Sequence, residues 1–298
     1  GLTASKVIEN WAVLLKIIII VLFIVVGFFY IKKVNYSPFY PVEFQKGFAG
    51  LGGIWASTAS VFFAFVGFDT LAANSAETIN PGKNMFRGII GTVLISAILY
   101  TLFSLVLTGM VNYTELGVDD PAAFAFSKMG NTFALITGTI ITIGALIGMF
   151  TAIMSMMFAS SRLVYSIGRD GLLPKQLKSI NNNTGVPKNA LMLTLIIEAV
   201  FAGLVPLNEL AALINGGTLL AFSVMGVGIF VLRHRKDLKN TGFKMPLYPI
   251  LPAFSVLATT FFLFELPNKT KIWLLIWLSL GIIVYFAYGF KHSNINKK

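Results

Sequence analysis

Apolar residues along this chain fall into long unbroken runs. Eight such stretches are read, at about 8–31, 52–77, 88–111, 132–161, 189–205, 209–232, 247–266 and 272–290. Runs of roughly 17–25 apolar residues match a helix that crosses the hydrocarbon of a bilayer. The pattern therefore predicts an all-α polytopic membrane protein with about eight transmembrane helices. A transmembrane β-barrel is excluded, because its strands would alternate apolar and polar positions. The fourth run is long enough to continue past the membrane. Val205-Pro206-Leu207 leaves room only for a tight hairpin between the fifth and sixth.

Composition supports this reading. Of the 298 residues 56% are hydrophobic and only 12% charged, whereas a soluble domain carries about 25% charge. The net charge of +11 would point to nucleic acid in a soluble protein. Here the charge sits in loops and sets topology instead. With the N-terminal end on one side, 16 Lys and Arg residues fall on that side, among them Lys83, Arg87, Arg162, Arg169, Lys175, Arg233 and Lys291. Six fall on the other side: Lys32, Lys33, Lys46, Lys128, Lys269 and Lys271. This bias predicts both ends of the chain in the cytoplasm, and the loop 112–131, with Glu115, Asp119 and Asp120, facing outward. Cysteine is absent, so disulfide and thiol chemistry are not available. His234 and His292 lie in basic loops, which argues against a histidine metal site.

Polar residues inside the runs carry the chemistry. Lys16 interrupts the first, in Trp11-Ala-Val-Leu-Leu-Lys16-Ile-Ile-Ile-Ile. A charge at the bilayer centre costs at least about 2.5–3.5 kcal/mol on insertion scales. Lys16 either snorkels past Trp11 to the headgroups or faces a polar cavity within the bundle as a titratable group. In the second run the apolar stretch through Phe63-Ala64-Phe65-Val66 meets Gly67-Phe68-Asp69-Thr70, then Leu71 to Glu77. Glycine loosens a helix, and Asp and Thr are good N-caps. Two half-helices follow, the second starting near Asp69. The alternative is a kinked helix in which Asp69 caps its own backbone. Unwound backbone at membrane depth is tolerated where it lines a cavity, and transporters use it to bind ions and zwitterions.

Other features are less specific. Asn80-Pro81-Gly82 is a turn signal. The fourth run is rich in small residues, from Gly138, Gly144 and Gly148 to Ser160 and Ser161, which suit close helix packing. Glu198 in the fifth run reads as a structural hydrogen-bonding carboxylate. Asn215-Gly216-Gly217-Thr218 predicts a bend or close contact in the sixth. No phosphate-cradling loop, metal cluster or nucleophile elbow is present. The chain is therefore read as a non-enzyme without a cofactor.

Phe63-Ala64-Phe65-Val66-Gly67-Phe68-Asp69, Glu77, Asn80-Pro81, and Ser161-Arg162 through Gly168-Arg169-Asp170-Gly171-Leu172-Leu173-Pro174 resemble the amino acid–polyamine–organocation superfamily. The nearest pattern is the cationic amino acid transporter branch of bacterial amino acid permeases. The resemblance implies a fold of five-plus-five inverted repeats with two further helices, of which this chain matches spans five to twelve. Residues 1–298 would form one transporter domain, with the end of the first repeat at 1–48, the second repeat at 49–234 and two peripheral helices at 245–291. The chain opens at Gly1 with a helix almost at once, and is expected to lack the first four spans.

The resemblance also assigns roles. The broken helix at 54–77 corresponds to the sixth of the family. Backbone carbonyls of Phe63, Ala64, Phe65, Val66 and Gly67 would take a substrate ammonium, with the aromatic rings as wall and gate. Met149 would shape the side-chain pocket. Lys16 would stand where sodium-coupled relatives hold their ion, and so would couple protons. Asp69 and Glu77 would serve structure and gating. The implied activity is secondary active transport of amino acids across the cell membrane, the implied partners being the amino acid, protons and the lipid bilayer, with proton symport favoured. An exchanger of amino acids or polyamines, and a non-transporting membrane sensor, are the alternatives.

Overall fold

A computed structural model of the chain describes residues 2–37, 52–68, 78–181, 185–235, 245 and 247–293. Nine helices are built from them: α1 Leu2–Phe28, α2 Gly52–Val61, α3 Pro81–Met110, α4 Pro121–Ser127, α5 Thr132–Arg169, α6 Lys188–Leu204, α7 Leu207–His234, α8 Ile250–Glu265 and α9 Asn268–Val284. Each of the eight apolar runs contains one of them, and α4 is the addition. Among the described residues five helices are long and apolar enough to cross a bilayer alone: α1 from Trp11, α3, α5, α7, and α9 with its extension to His292. At about 1.5 Å per residue, the 38 residues of α5 reach roughly 57 Å, well past the hydrocarbon layer. The 17 residues of α6 reach about 25 Å, close to its thickness. α3 begins seven residues before its apolar run, because Pro81 is preorganised for a first helical turn after Asn80, which has φ 50°.

The described residues cluster into two compact units. The first contains α1, α3 from Leu94, α4, and α5 as far as Arg162. Phe23 is its centre, fully buried, stacked on Phe103 at 4.1 Å and edge-on to Phe126 at 5.6 Å. Glycines bring the helices together. A Cβ at Gly27 would sit 2.6 Å from Val106, and one at Gly144 would collide with Ile19. Lipid tails are as apolar as these side chains, so close van der Waals packing rather than water exclusion holds such helices together. Large apolar residues such as Ile18, Leu94 and Phe150 are exposed on the outside, as expected of a surface bathed in lipid.

The loop 112–131 holds α4, which its lack of hydrophobic periodicity conceals. Asp120 caps it, accepting from the Ala123 amide at 3.0 Å, and Pro121 occupies its first turn. The other Asp120 oxygen accepts from the Thr142 hydroxyl of α5 at 2.9 Å. Asn131 caps the start of α5 through the Ala134 amide and donates to the Tyr30 hydroxyl. Ala125 and Phe126 are thereby held fully buried.

The second unit contains α2, the start of α3, Leu163–Ser179 and α6 to α9. α7 lies at its centre. A Ser223–Thr259 hydroxyl pair at 2.7 Å ties it to α8, and a Cβ at Gly226 would press on Val256. Glu209 at its start pairs with Lys269 of α9 at 2.5 Å. The bend expected at Asn215-Gly216-Gly217-Thr218 is not found: α7 runs unbroken from Leu207 to His234. A glycine costs a helix only about 1 kcal/mol relative to Ala, and Gly216 here admits Leu274 and Leu266 to the helix backbone. The close-contact alternative is the one realised. α9 continues through a π-helical turn, Tyr285–Gly289, to His292, whose carbonyl lies against Gly171 in the turn after α5.

Candidate functional site

The second apolar run is broken where its glycine predicts. The α-helical bonding of α2 stops at Val61, and Phe62–Phe65 closes as a 3-10 turn. The Val66 amide donates to the Phe63 carbonyl at 3.1 Å, three residues back instead of four. Val66 then leaves at ψ 129°, and Gly67 adopts φ 124°. Helix ends leave carbonyls without intrahelical donors, and tightening to a 3-10 turn satisfies some of them. This refines the expectation of an unwound 63–67. Phe63, Ala64 and Phe65 are in the 3-10 turn, and only Val66 and Gly67 leave the helical range. No atom lies within 4 Å of a Cβ added at Gly67. Glycine is therefore needed there for its backbone conformation and not for space.

Phe63 is 39% exposed and Ala64 is exposed, whereas Phe65, Val66 and Gly67 are half-buried. The turn thus exposes the Phe63 ring and Ala64 and half-buries the residues that follow. Asp69 and Glu77, and with them the second half-helix, lie outside the described residues.

Lys16 is the fifteenth residue of α1, about 21 Å along it from Leu2 and about 18 Å from Phe28. Its stem is half-buried against α5: a Cβ at Gly148 would lie 3.5 Å from Lys16 Cγ and Cε. Among the described residues its ammonium has no carboxylate within ion-pair distance. Met149 follows Gly148 directly and is 55% exposed. Lys16 and Met149 thus share one neighbourhood in the first unit, while Phe63 to Gly67 form another in the second.

Other residues meet the break, of which sequence named only Asn215, and only as part of a bend or close contact. Phe222 of α7 meets Phe62 edge-on at 6.2 Å and Phe68 at 5.5 Å. Asn215, 2% exposed, donates to the Ser60 carbonyl through a long 3.4 Å bond. The Trp55 indole N–H is buried and has no hydrogen-bond partner among the described residues. The sequence flagged Asn215 as an interruption of its run but gave no partner for it; Phe222 is one of 27 phenylalanines and carries no signal of its own.

The fold and the break define a polytopic helical membrane protein with an interrupted span. The amino acid permease family model matches residues 1–288, and the chain belongs to that family. It is 42% identical over 293 residues to the branched-chain amino acid permease BcaP of Lactococcus lactis subsp. cremoris (strain MG1363), an alignment that covers 97% of this chain and 62% of the relative. It is 40% identical over 297 residues to the methylthioribose transporter of Bacillus subtilis (strain 168), covering 100% and 62%. Cationic amino acid transporter 4 of Homo sapiens is 34% identical over 225 residues, covering 75% and 34%. The chain therefore spans 62% of the length of the first two relatives.

Proposed function

We propose that the protein carries out secondary active transport of amino acids across the cell membrane, coupled to protons. The observation that carries this reading is the break at Phe62–Gly67 inside an apolar span. A break at membrane depth is tolerated only where protein or a water-filled cavity surrounds it. Backbone outside the α-helical ladder suits a substrate ammonium, the use that transporters make of discontinuous helices. Membership of the amino acid permease family and relatives named as amino acid permeases supply the substrate class.

Lys16 favours symport over exchange, because exchange needs no titrating group in the membrane. The packing of its stem against Gly148 of α5 supports this role over snorkelling. Met149, beside Gly148, is assigned to substrate selectivity. Sixteen cationic residues on one side against six on the other favour a cytoplasmic start of α1 and end of α9.

The test is uptake by the full-length protein in proteoliposomes, with and without an inward proton gradient. Branched-chain amino acids, cationic amino acids and methylthioribose form the panel. Accumulation of an amino acid that collapses with the gradient is the expected result. Accumulation driven only by a counter-substrate assigns exchange, and no uptake of any amino acid overturns the reading.

A further inference from the structure

The backbone of the break must be held in one shape to bind anything, and a chain segment outside the helical ladder has few bonds of its own to hold it. Three residues of α7 supply outside support. Asn215, Leu219 and Phe222 follow one another at spacings of four and three, which places them on one face of the helix. Asn215 donates to the Ser60 carbonyl, in the last turn of α2 before the 3-10 turn. Leu219, 1% exposed, belongs with Leu266 and Leu274 to the apolar cluster that receives Phe62. Phe222 touches Phe62 on one side of Gly67 and Phe68 on the other, edge-on at 90° and tilted at 37°. One ring thus bridges both edges of the segment that leaves the helix.

We propose that Asn215 and Phe222 are positioning residues that fix the shape of the Phe63–Gly67 backbone, making α7 the brace of the broken helix. The functional meaning of the brace rests on the transport reading above; its physical existence does not. Asn215 sets where the first half-helix ends. Phe222 sets the separation of Phe62 and Phe68, and so the path of the backbone between them. Neither residue needs to touch substrate. Loss of either leaves α7 intact, because its own ladder and its contacts with α8 do not depend on them.

The test uses the full-length protein with a single reporter cysteine at Ala64→Cys, in a background otherwise free of reactive thiols; the 298 residues here contain none. The rate of modification by N-ethylmaleimide is measured in the parent and in the Asn215→Leu and Phe222→Ala variants. A second reporter, Ser279→Cys on α9, monitors general loosening. Val224→Ala, on an exposed position of α7, is the control substitution. A threefold or greater rise at position 64, with no rise at position 279 and none in Val224→Ala, is expected for both variants. Phe222→Tyr, which keeps the ring, should restore the parental rate. A smaller change at position 64, or a matching rise at position 279, overturns the brace. In proteoliposomes the same two substitutions should raise KM for uptake at least fivefold while folded yield is maintained. Absence of uptake by the parent removes the transport reading and leaves the labelling result to decide the brace by itself.

Discussion

Replacing Gly67 by alanine isolates the contribution of backbone conformation at the break. Gly67 has φ 124°, a region almost closed to side-chain-bearing residues. Holding an L-residue in such a region costs about 1–3 kcal/mol. No clash adds to this, because nothing lies within 4 Å of the new Cβ. The equilibrium between the broken backbone and its competitors should therefore shift by about 5-fold to about 150-fold, since 1.4 kcal/mol is roughly tenfold. Initial-rate uptake by the full-length protein reads the shift as a fall in transport efficiency of that size. Gly217→Ala is the matched control. Its Cβ also meets open space, but Gly217 lies inside the continuous α7, where alanine is favoured by about 1 kcal/mol. Uptake in that variant should match or exceed the parent. A Gly67→Ala protein within threefold of the parent, with normal expression, refutes the view that the broken conformation is required.

Lys16→Ala should abolish accumulation driven by a proton gradient while leaving measurable substrate binding, and Lys16→Arg should fail likewise because a guanidinium stays protonated; gradient-driven accumulation by either variant refutes the coupling role. Met149→Ser should shift the relative uptake of bulkier and smaller amino acids by tenfold or more, as a change of about 1–3 kcal/mol in a pocket contact implies, and competition assays with an unchanged selectivity profile would assign Met149 to packing. Gly171→Ala should lower the thermal midpoint of the purified protein, because φ 84° alone costs about 1–3 kcal/mol and the new Cβ would also press on the His292 carbonyl; truncation before His292 should remove the steric part of that loss, and an unchanged midpoint in Gly171→Ala refutes the contact.

The helices were legible because the eight apolar runs are long, and the bilayer admits few other structures for such runs. Ends were less legible for reasons that differ from place to place. α3 starts early because Asn80 and Pro81 favour a helix start even though the residues from Gly82 to Arg87 are partly polar. α4 escaped because seven residues with no periodicity read as loop, although Asp120-Pro121 is a helix-start signal. The unbroken course of α7 through Gly216 and Gly217 shows tertiary packing overriding local propensity, with Leu274 and Leu266 filling the room that Gly216 leaves.

The site divides along the same line. Gly67 announces the break, since a glycine ahead of a carboxylate in an apolar run has few other uses. Lys16 announces itself through its cost in hydrocarbon. Neither signal contains the residues that keep the break in place. Phe222 is chemically indistinguishable from the other aromatics of the chain, and its role arises only because Phe62 and Phe68 come within ring contact on either side of Gly67. A binding surface made of backbone has this property in general. Its side chains can vary as long as the path is preserved, so the residues that specify the path lie on the neighbouring helix, and sequence periodicity marks them only as core. For this chain the neighbour in contact with the break is α7, through Asn215, Leu219 and Phe222, spaced so as to share one face of the helix.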